Sequence, residues 1–221
     1  LETYANSFKN LKKSFRKFCL NIPFQGKLFA NGDYQEVLEV VENLPRNISL
    51  YGFEDINDLQ ILEFTQNKNG SHFVLFDKKN NNKMNFKTNM IGKHNVLNVA
   101  AAIAVAVDEG IPYEGIKKAL EKFIVIERRF QLISENVFEK DIILIDDYGH
   151  HPKELLVSIN TAKEVWPDRE ILVVFQPHRY TRTKALFEDF VSILSDCKNL
   201  ILLEIYPASE EPIKGLSLIH I

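Results

Sequence analysis

A chain of 221 residues is long enough for one large or two modest hydrophobic cores. Its 45% apolar and 26% charged residues are ordinary for a globular protein, and a net charge of -3 argues against a general nucleic-acid binder. Cys19 and Cys197 lie far apart and outside any metal-ligand spacing, so a cytoplasmic protein with reduced thiols is expected, not a disulfide framework.

The opening LETYANSF lacks the basic start and apolar core of a signal peptide. The longest apolar stretch, Val96 to Val107, is too short to cross a bilayer, so no membrane partner is expected. Leu1 in place of Met is read as the start of a fragment or a processed product. Phe8, Leu11, Phe15 and Phe18 then recur at helical spacing among lysines and Arg16, which predicts an amphipathic helix ending before Pro23. From Gly26 to about Phe86 the runs KLFA, ISLYGF, LQILEF, HFVLF and KMNF predict short strands, with DKKNNNK as the clearest hairpin connection. The stretch NVLNVAAAIAVAVDEG predicts a closely packing helix that Gly110 terminates, and a second helix follows over Tyr113 to Phe123. Ile124 to Arg128 is the best candidate for a domain boundary.

Beyond Phe130 the texture changes. DIILID, EILVVFQP and NLILLEIYP are continuous apolar runs, expected of strands buried on both faces of a parallel sheet. Helical patterns lie between them, with Leu155, Ile159 and Ala162 in the first and Leu186, Phe190 and Ile193 in the second. The alternation predicts an α/β, doubly wound domain.

Each of these strands runs into a polar cluster. The first gives Asp146, Asp147, Tyr148, Gly149, His150 and His151, and the second gives Gln176 through Thr183 with His178, Arg179 and Arg182. The third gives Glu204, Tyr206, Pro207 and Glu210. In open α/β sheets the ligand crevice lies beyond the carboxyl ends of the strands, so these loops are expected to share one rim. Arg179 and Arg182, if they enter a helix together, make a fork suited to a carboxylate or phosphate. One of Asp146 and Asp147 is expected to serve a ligand and the other a helix cap. Adjacent His150 and His151 with no third ligand argue against zinc, so no metal site is assigned. Pro152 suits the first position of a helix, which leaves His151 at the cap and His150 for substrate. In GKHNVLN, Asn95 and Asn98 admit two readings: both amides on an adenine edge, or both spent on the helix start. Arg128 and Arg129 suit a phosphate or a bridge between domains.

Taken in order, GKHNVLNVAAAIAVA, ERRFQ, DDYGHHP, FQPHRYTRT and IYPASEEPIKG closely resemble the Mur ligases of peptidoglycan synthesis, over Leu1 to about Gly215. The last three strings are most similar to the alanine-adding branch. The resemblance implies that residues 1–124 are the latter part of a central ATPase domain. It also implies that residues 125–215 begin a truncated Rossmann-like domain with a mostly parallel sheet. It implies ATP and Mg2+ as cofactors, UDP-N-acetylmuramate and L-alanine as substrates, and an acyl-phosphate route. Matched position by position, it puts His94, Asn95 and Asn98 on the adenine side, Arg129 near the phosphates and Asp147 against the nucleotide. Tyr148 and His150 match residues on the amino-acid side, and Arg179 and Arg182 match a cationic pair near substrate carboxylates. His150, Arg179 and Arg182 are thereby the candidate catalytic residues.

The sequence also departs from the pattern. It holds no GxxxxGK[ST] loop, so the phosphate cradle, the UDP-binding domain and the main Mg2+ ligands are expected outside it, and activity is not expected of these residues alone. Residues 216–221, LSLIHI, leave the family pattern and are expected to be an assembly artefact. Two further readings stay open: a non-catalytic nucleotide-binding module using Asn95, Asn98, Arg129 and Asp147, and the related muramyl-peptide recycling ligase. Oligomeric state is not legible.

Overall fold

Ser7 opens the first helix by accepting the Asn10 N–H at 3.3 Å, and α1 (Phe8–Leu20) runs on from it. The computed structural model describes residues 7–123 and 126–216. The chain divides into two compact units, residues 1–124 and 125–221. Residues 124–125 of the expected boundary and 217–221 of the off-pattern tail lie outside the described residues.

In the first unit β1 (Lys27–Asn31) is followed by α2 (Gln35–Val41), then β2 (Asn47–Gly52) and β3 (Leu59–Asn67). Next come β4 (Gly70–Asp77), β5 (Asn82–Thr88), α3 (Lys93–Asp108) and α4 (Tyr113–Lys122). The strands form one sheet in the order β1-β2-β3-β4-β5. Its first three strands are parallel and its last two pairings antiparallel. DKKNNNK makes the β4–β5 turn, where Asp77 accepts the Asn80 N–H at 3.2 Å and its side-chain amide at 2.6 Å. The core lies between this sheet and α3. Phe73, Leu75 and Phe86 are fully buried against Val96, Ala100 and Ile103, and the alanines allow the helix to approach closely.

Two expectations change here. The phenylalanine stripe of α1 is not its buried face: Phe15 and Phe18 are 53% and 69% exposed, while Cys19 turns inward. Polar ties hold the helix instead. Arg16 donates to the Val40 and Glu42 carbonyls at 2.9 and 2.6 Å, and Arg46 donates to the Leu20 carbonyl at 2.6 Å. Each arginine thus satisfies carbonyls that the end of a helix leaves without intrahelical donors. The helix α2, in a segment read only as strands, takes its place because Val37, Val40 and Val41 pack into a small core with Ala30, Leu44 and Ile48.

In the second unit β6 (Gln131–Ser134) pairs antiparallel with β7 (Leu144–Asp146). Then follow α5 (Pro152–Val165), β8 (Leu172–Phe175), α6 (Tyr180–Ala185), α7 (Phe187–Leu194) and β9 (Asn199–Leu202). Strands β8 and β9 are parallel. Leu155 and Ile159 of α5 and Phe190 and Leu194 of α7 gather around Phe175 to form the core. Burial on both strand faces is not observed. Leu172 and Val174 are 57% and 58% exposed, because α5 and α7 share one core cluster with β8 and leave its alternate residues uncovered.

The loops after β1 and β2 in the first unit meet on Asp33. Its carboxylate accepts the Phe53 and Glu54 N–H groups at 2.9 Å each and the Asn57 amide at 2.8 Å. Asn57 is fully buried and in turn accepts the Gly32 N–H at 3.2 Å. A Cβ on Gly52 would stand 2.1 Å from Asp33 Oδ1, so glycine is required there. Asp33→Ala strands these donors and is expected to lower the unfolding free energy by about 2–4 kcal/mol, measured by urea denaturation. A loss under about 0.5 kcal/mol would mean that water replaces the carboxylate without cost.

Candidate functional site

Asp147 organises the loop that leaves β7. One carboxylate oxygen accepts the Gly149 N–H at 2.6 Å and the other accepts the Phe130 N–H at 2.8 Å. A Cβ on Gly149 would fall 2.7 Å from the first of these oxygens, so a side chain there would displace the carboxylate. The Tyr148 N–H reaches the Arg128 carbonyl at 2.8 Å, and the Arg128 guanidinium lies over the Tyr148 ring at 4.8 Å. Arg128 also meets Asp146 at 3.2 Å. Asp146 therefore pairs with an arginine and does not cap a helix.

His151 is the cap of α5, as Pro152 at the helix start implies. Its Nδ1 accepts the Lys153 N–H at 3.2 Å, and Glu154 returns to the His150 and His151 N–H groups at 3.0 and 3.1 Å. Burial raises the Glu154 pKa, but the two amides together with nearby His150 and Arg129 bring it below the ordinary carboxylate value. His150 is left projecting from the cap, its Nδ1 3.0 Å from the Tyr148 carbonyl.

The loop after β8 is joined to the loop after β9 by backbone. Tyr206 donates to the Pro177 carbonyl at 2.8 Å and accepts the Arg179 N–H at 2.9 Å, a parallel bridge that continues the β8–β9 pairing. Arg179 holds φ at 75°, a conformation that side-chain-bearing residues seldom adopt. Buried Thr183 secures it by donating both its N–H and its hydroxyl to the Arg179 carbonyl at 3.1 and 2.8 Å.

At this rim four rings converge. The Tyr148 ring lies 5.2 Å from His150 and 6.0 Å from His178, and the Tyr206 ring stacks on His178 at 5.4 Å. Tyr148 Oη and His178 Nε2 are 3.5 Å apart. Burial, then Arg182, His150 and Arg179, lower the His178 pKa, so the imidazole is held toward its neutral form.

The structure brings Tyr148, His150 and His178 together, sets Arg179 in the loop with His178 and puts Arg182 in the first turn of α6. The two arginines do not form one helical face. Arg179 stands outside α6 as its cap and reaches Glu210 at 4.0 Å, whereas Arg182 leans on the His178 carbonyl at 3.4 Å. Arg129 is exposed. In the first unit Asn95 is 2% exposed and donates to the Ile91 carbonyl at 2.8 Å, whereas Asn98 is exposed and His94 half-buried. The asparagine amides therefore do not share one exposed edge. The sequence assigns no role to Glu154 and only a place in a polar cluster to His178, and Arg128, read as suiting a phosphate or a domain bridge, instead meets Asp146 and the Tyr148 ring. The spacing of these three residues from Tyr148 and His150 was visible, but the backbone turns that aim them were not.

Among the described residues, no three His, Cys, Asp or Glu side chains gather as a metal site, and no helix is long and apolar enough to cross a membrane. Both cysteines are free thiols.

Two family models match the chain: the Mur ligase middle domain over residues 1–106, and the Mur ligase, glutamate ligase domain over residues 128–217. A UDP-N-acetylmuramate–L-alanine ligase of Psychrobacter arcticus is 40% identical over 97% of this chain and 45% of its own length. The enzyme of that name from Wigglesworthia glossinidia brevipalpis is 41% identical over 96% of this chain and 46% of its own. The chain thus spans less than half the length of these relatives. Among solved structures, the UDP-N-acetylmuramate–alanine ligase of Thermotoga maritima superposes with a TM-score of 0.69 at 25% identity, covering 92% of this chain and 48% of that one.

The held-neutral state of His178 is directly measurable. By NMR its imidazole is expected to titrate below the ordinary value of 6.5, and Arg182→Ala is expected to move the midpoint upward. The sign follows from proton counting. Between the folded and unfolded midpoints the unfolded chain binds more protons, so this group's contribution to stability falls as pH drops below 6.5. A midpoint at or above 6.5 would remove the neutral imidazole from the site.

Proposed function

The chain belongs to the Mur ligase family, and from that membership we propose that it forms part of an ATP-dependent ligase joining L-alanine to UDP-N-acetylmuramate in peptidoglycan precursor synthesis. The observation that carries this reading is the convergence of Tyr148, His150 and His178 beside Arg179 and Arg182, in loops that leave successive strands. Its support from similarity is the shared name of relatives about 40% identical over nearly the whole chain.

In the reaction that the family implies, the muramate carboxylate takes the terminal phosphoryl group of ATP to give an acyl phosphate. The alanine amine then attacks the carbonyl carbon, and the tetrahedral adduct collapses with loss of phosphate. Negative charge grows on oxygen atoms at both stages. Arg179 and Arg182 offset it, each presenting a permanently charged planar fork to carboxylate or phosphate oxygens. Tyr148 and His150 line the side that receives alanine.

His94, Asn95 and Asn98 belong to the adenine side. Asn98 offers an exposed amide with a donor and an acceptor, while buried Asn95 ties the helix start behind it. Arg129 answers the nucleotide phosphates. Asp147 faces the nucleotide with the lone pairs that its two backbone partners leave available. The described residues gather no metal-ligand set, so Mg2+ is assigned no residue and no step here. A cytoplasmic location goes with this reading.

The test is alanine-dependent phosphate release from ATP in the presence of UDP-N-acetylmuramate. The 221 residues contain no GxxxxGK[ST] loop, so they are expected to show no turnover by themselves. Turnover by this chain alone would overturn that account. In a longer ligase carrying this sequence, Arg179→Ala is expected to lower turnover by at least ~10²-fold. Near-parental turnover would return Arg179 to an ordinary surface ion pair.

A further inference from the structure

Glu210 comes from the turn beyond β9, far from the arginines in sequence, yet its carboxylate closes on their loop. Oε2 accepts the Thr181 N–H at 2.9 Å and Oε1 accepts the Thr181 hydroxyl at 2.7 Å. Arg179 Nη1 stands 4.0 Å from Oε1. The Thr181 N–H and hydroxyl, then Arg179, bring the Glu210 carboxyl below its ordinary pKa, keeping it charged.

The turn that delivers Glu210 is itself unusual. Ala208 and Ser209 hold φ at 48° and 69°, and the Glu210 N–H closes the turn on the Pro207 carbonyl at 3.0 Å. Two successive side-chain-bearing residues in the left-handed region are strained, and such strain persists only where surrounding contacts over-determine it. The Arg179 guanidinium is half exposed, so the ion pair by itself adds little to stability. What the carboxylate does hold is the first turn of the segment that carries Arg179 and Arg182.

We propose that Glu210 is a positioning residue for the ligase reaction: by clamping Thr181 it sets the Arg179 guanidinium where an anionic substrate oxygen meets it. The inference rests on the ligase reading above. It requires Glu210 to act through Arg179, which separates it from a role in folding.

The measurement is turnover in a longer ligase carrying this sequence, with E210A, E210Q, R179A and the E210A/R179A double variant. E210A is expected to lower kcat by about 10- to 100-fold, as a misplaced catalytic group does, with the KM for ATP within about twofold. E210Q keeps an amide oxygen for Thr181 and is expected to recover most of that loss. The double variant is expected to be no slower than R179A, because both changes remove one function. In this chain, E210A is expected to speed hydrogen exchange at the Thr181 amide by about tenfold.

Parental kcat in E210A with a slow R179A would overturn the assignment of Glu210 and leave the ligase reading standing. Additive losses in the double variant would overturn it also. Parental kcat in R179A would sink the ligase role of the arginine, and this inference with it. Should E210A fail to fold, T181V removes one of the two bonds and is expected to slow the parent a few-fold without further slowing R179A. Unchanged turnover in T181V would count against the clamp.

Discussion

Two backbone hydrogen bonds between the loops after β8 and β9 hold the candidate site in register. Tyr206 gives its N–H to Pro177 and takes that of Arg179, so strand pairing continues into segments that would otherwise be free to diverge. The half of the rim contributed by the loops after β8 and β9 follows from that continuation. It stacks Tyr206 on His178, sets Arg179 at its unusual backbone angle and brings the turn carrying Glu210 back to Thr181. The parallel pair β8–β9 places both loops at the same end, which antiparallel neighbours would not do.

Charge is balanced in the same neighbourhood by local means. Arg128 is met by Asp146 and Arg179 by Glu210, and Glu154 stands 3.7 Å from His150 Nδ1. Asp147 serves backbone amides and so ties the loop to Phe130, beside the nucleotide role proposed for it. Glu154 and Asp147 bond to backbone amides, Glu210 to the amide and hydroxyl of Thr181, and Asp146 to the Arg128 side chain. The Arg128 and Arg179 guanidinium groups are partly exposed at the rim, placed to meet an anion.

The two units divide the proposed work unequally. In the first, a five-stranded sheet and the alanine-rich α3 bury a continuous apolar core, and the polar residues near Gly92 sit where that helix begins. In the second, short strands and exposed apolar side chains go with a smaller core, and most of the ordering at the site comes from polar bonds between loops.

Much of this was legible in the sequence, and the reason is that those features are local. The hairpin at DKKNNNK, the start of α5 at His151 and Pro152, the span of α3 and α4 and the polar clusters at strand ends all depend on neighbours within a few residues. Which side of α1 is buried, whether both faces of β8 are covered, and which of Asn95 and Asn98 turns inward depend instead on what packs from elsewhere in the chain. So does the separation of Arg179 from Arg182, which needs Tyr206 and Glu210 to hold one outside the helix while the other lies within it. Residue order alone determined the family, most of the element types and most of the chemical groups at the candidate site. Their orientation was decided only by tertiary structure, because long-range hydrogen bonds and burial overrode the periodicity that a linear reading can use.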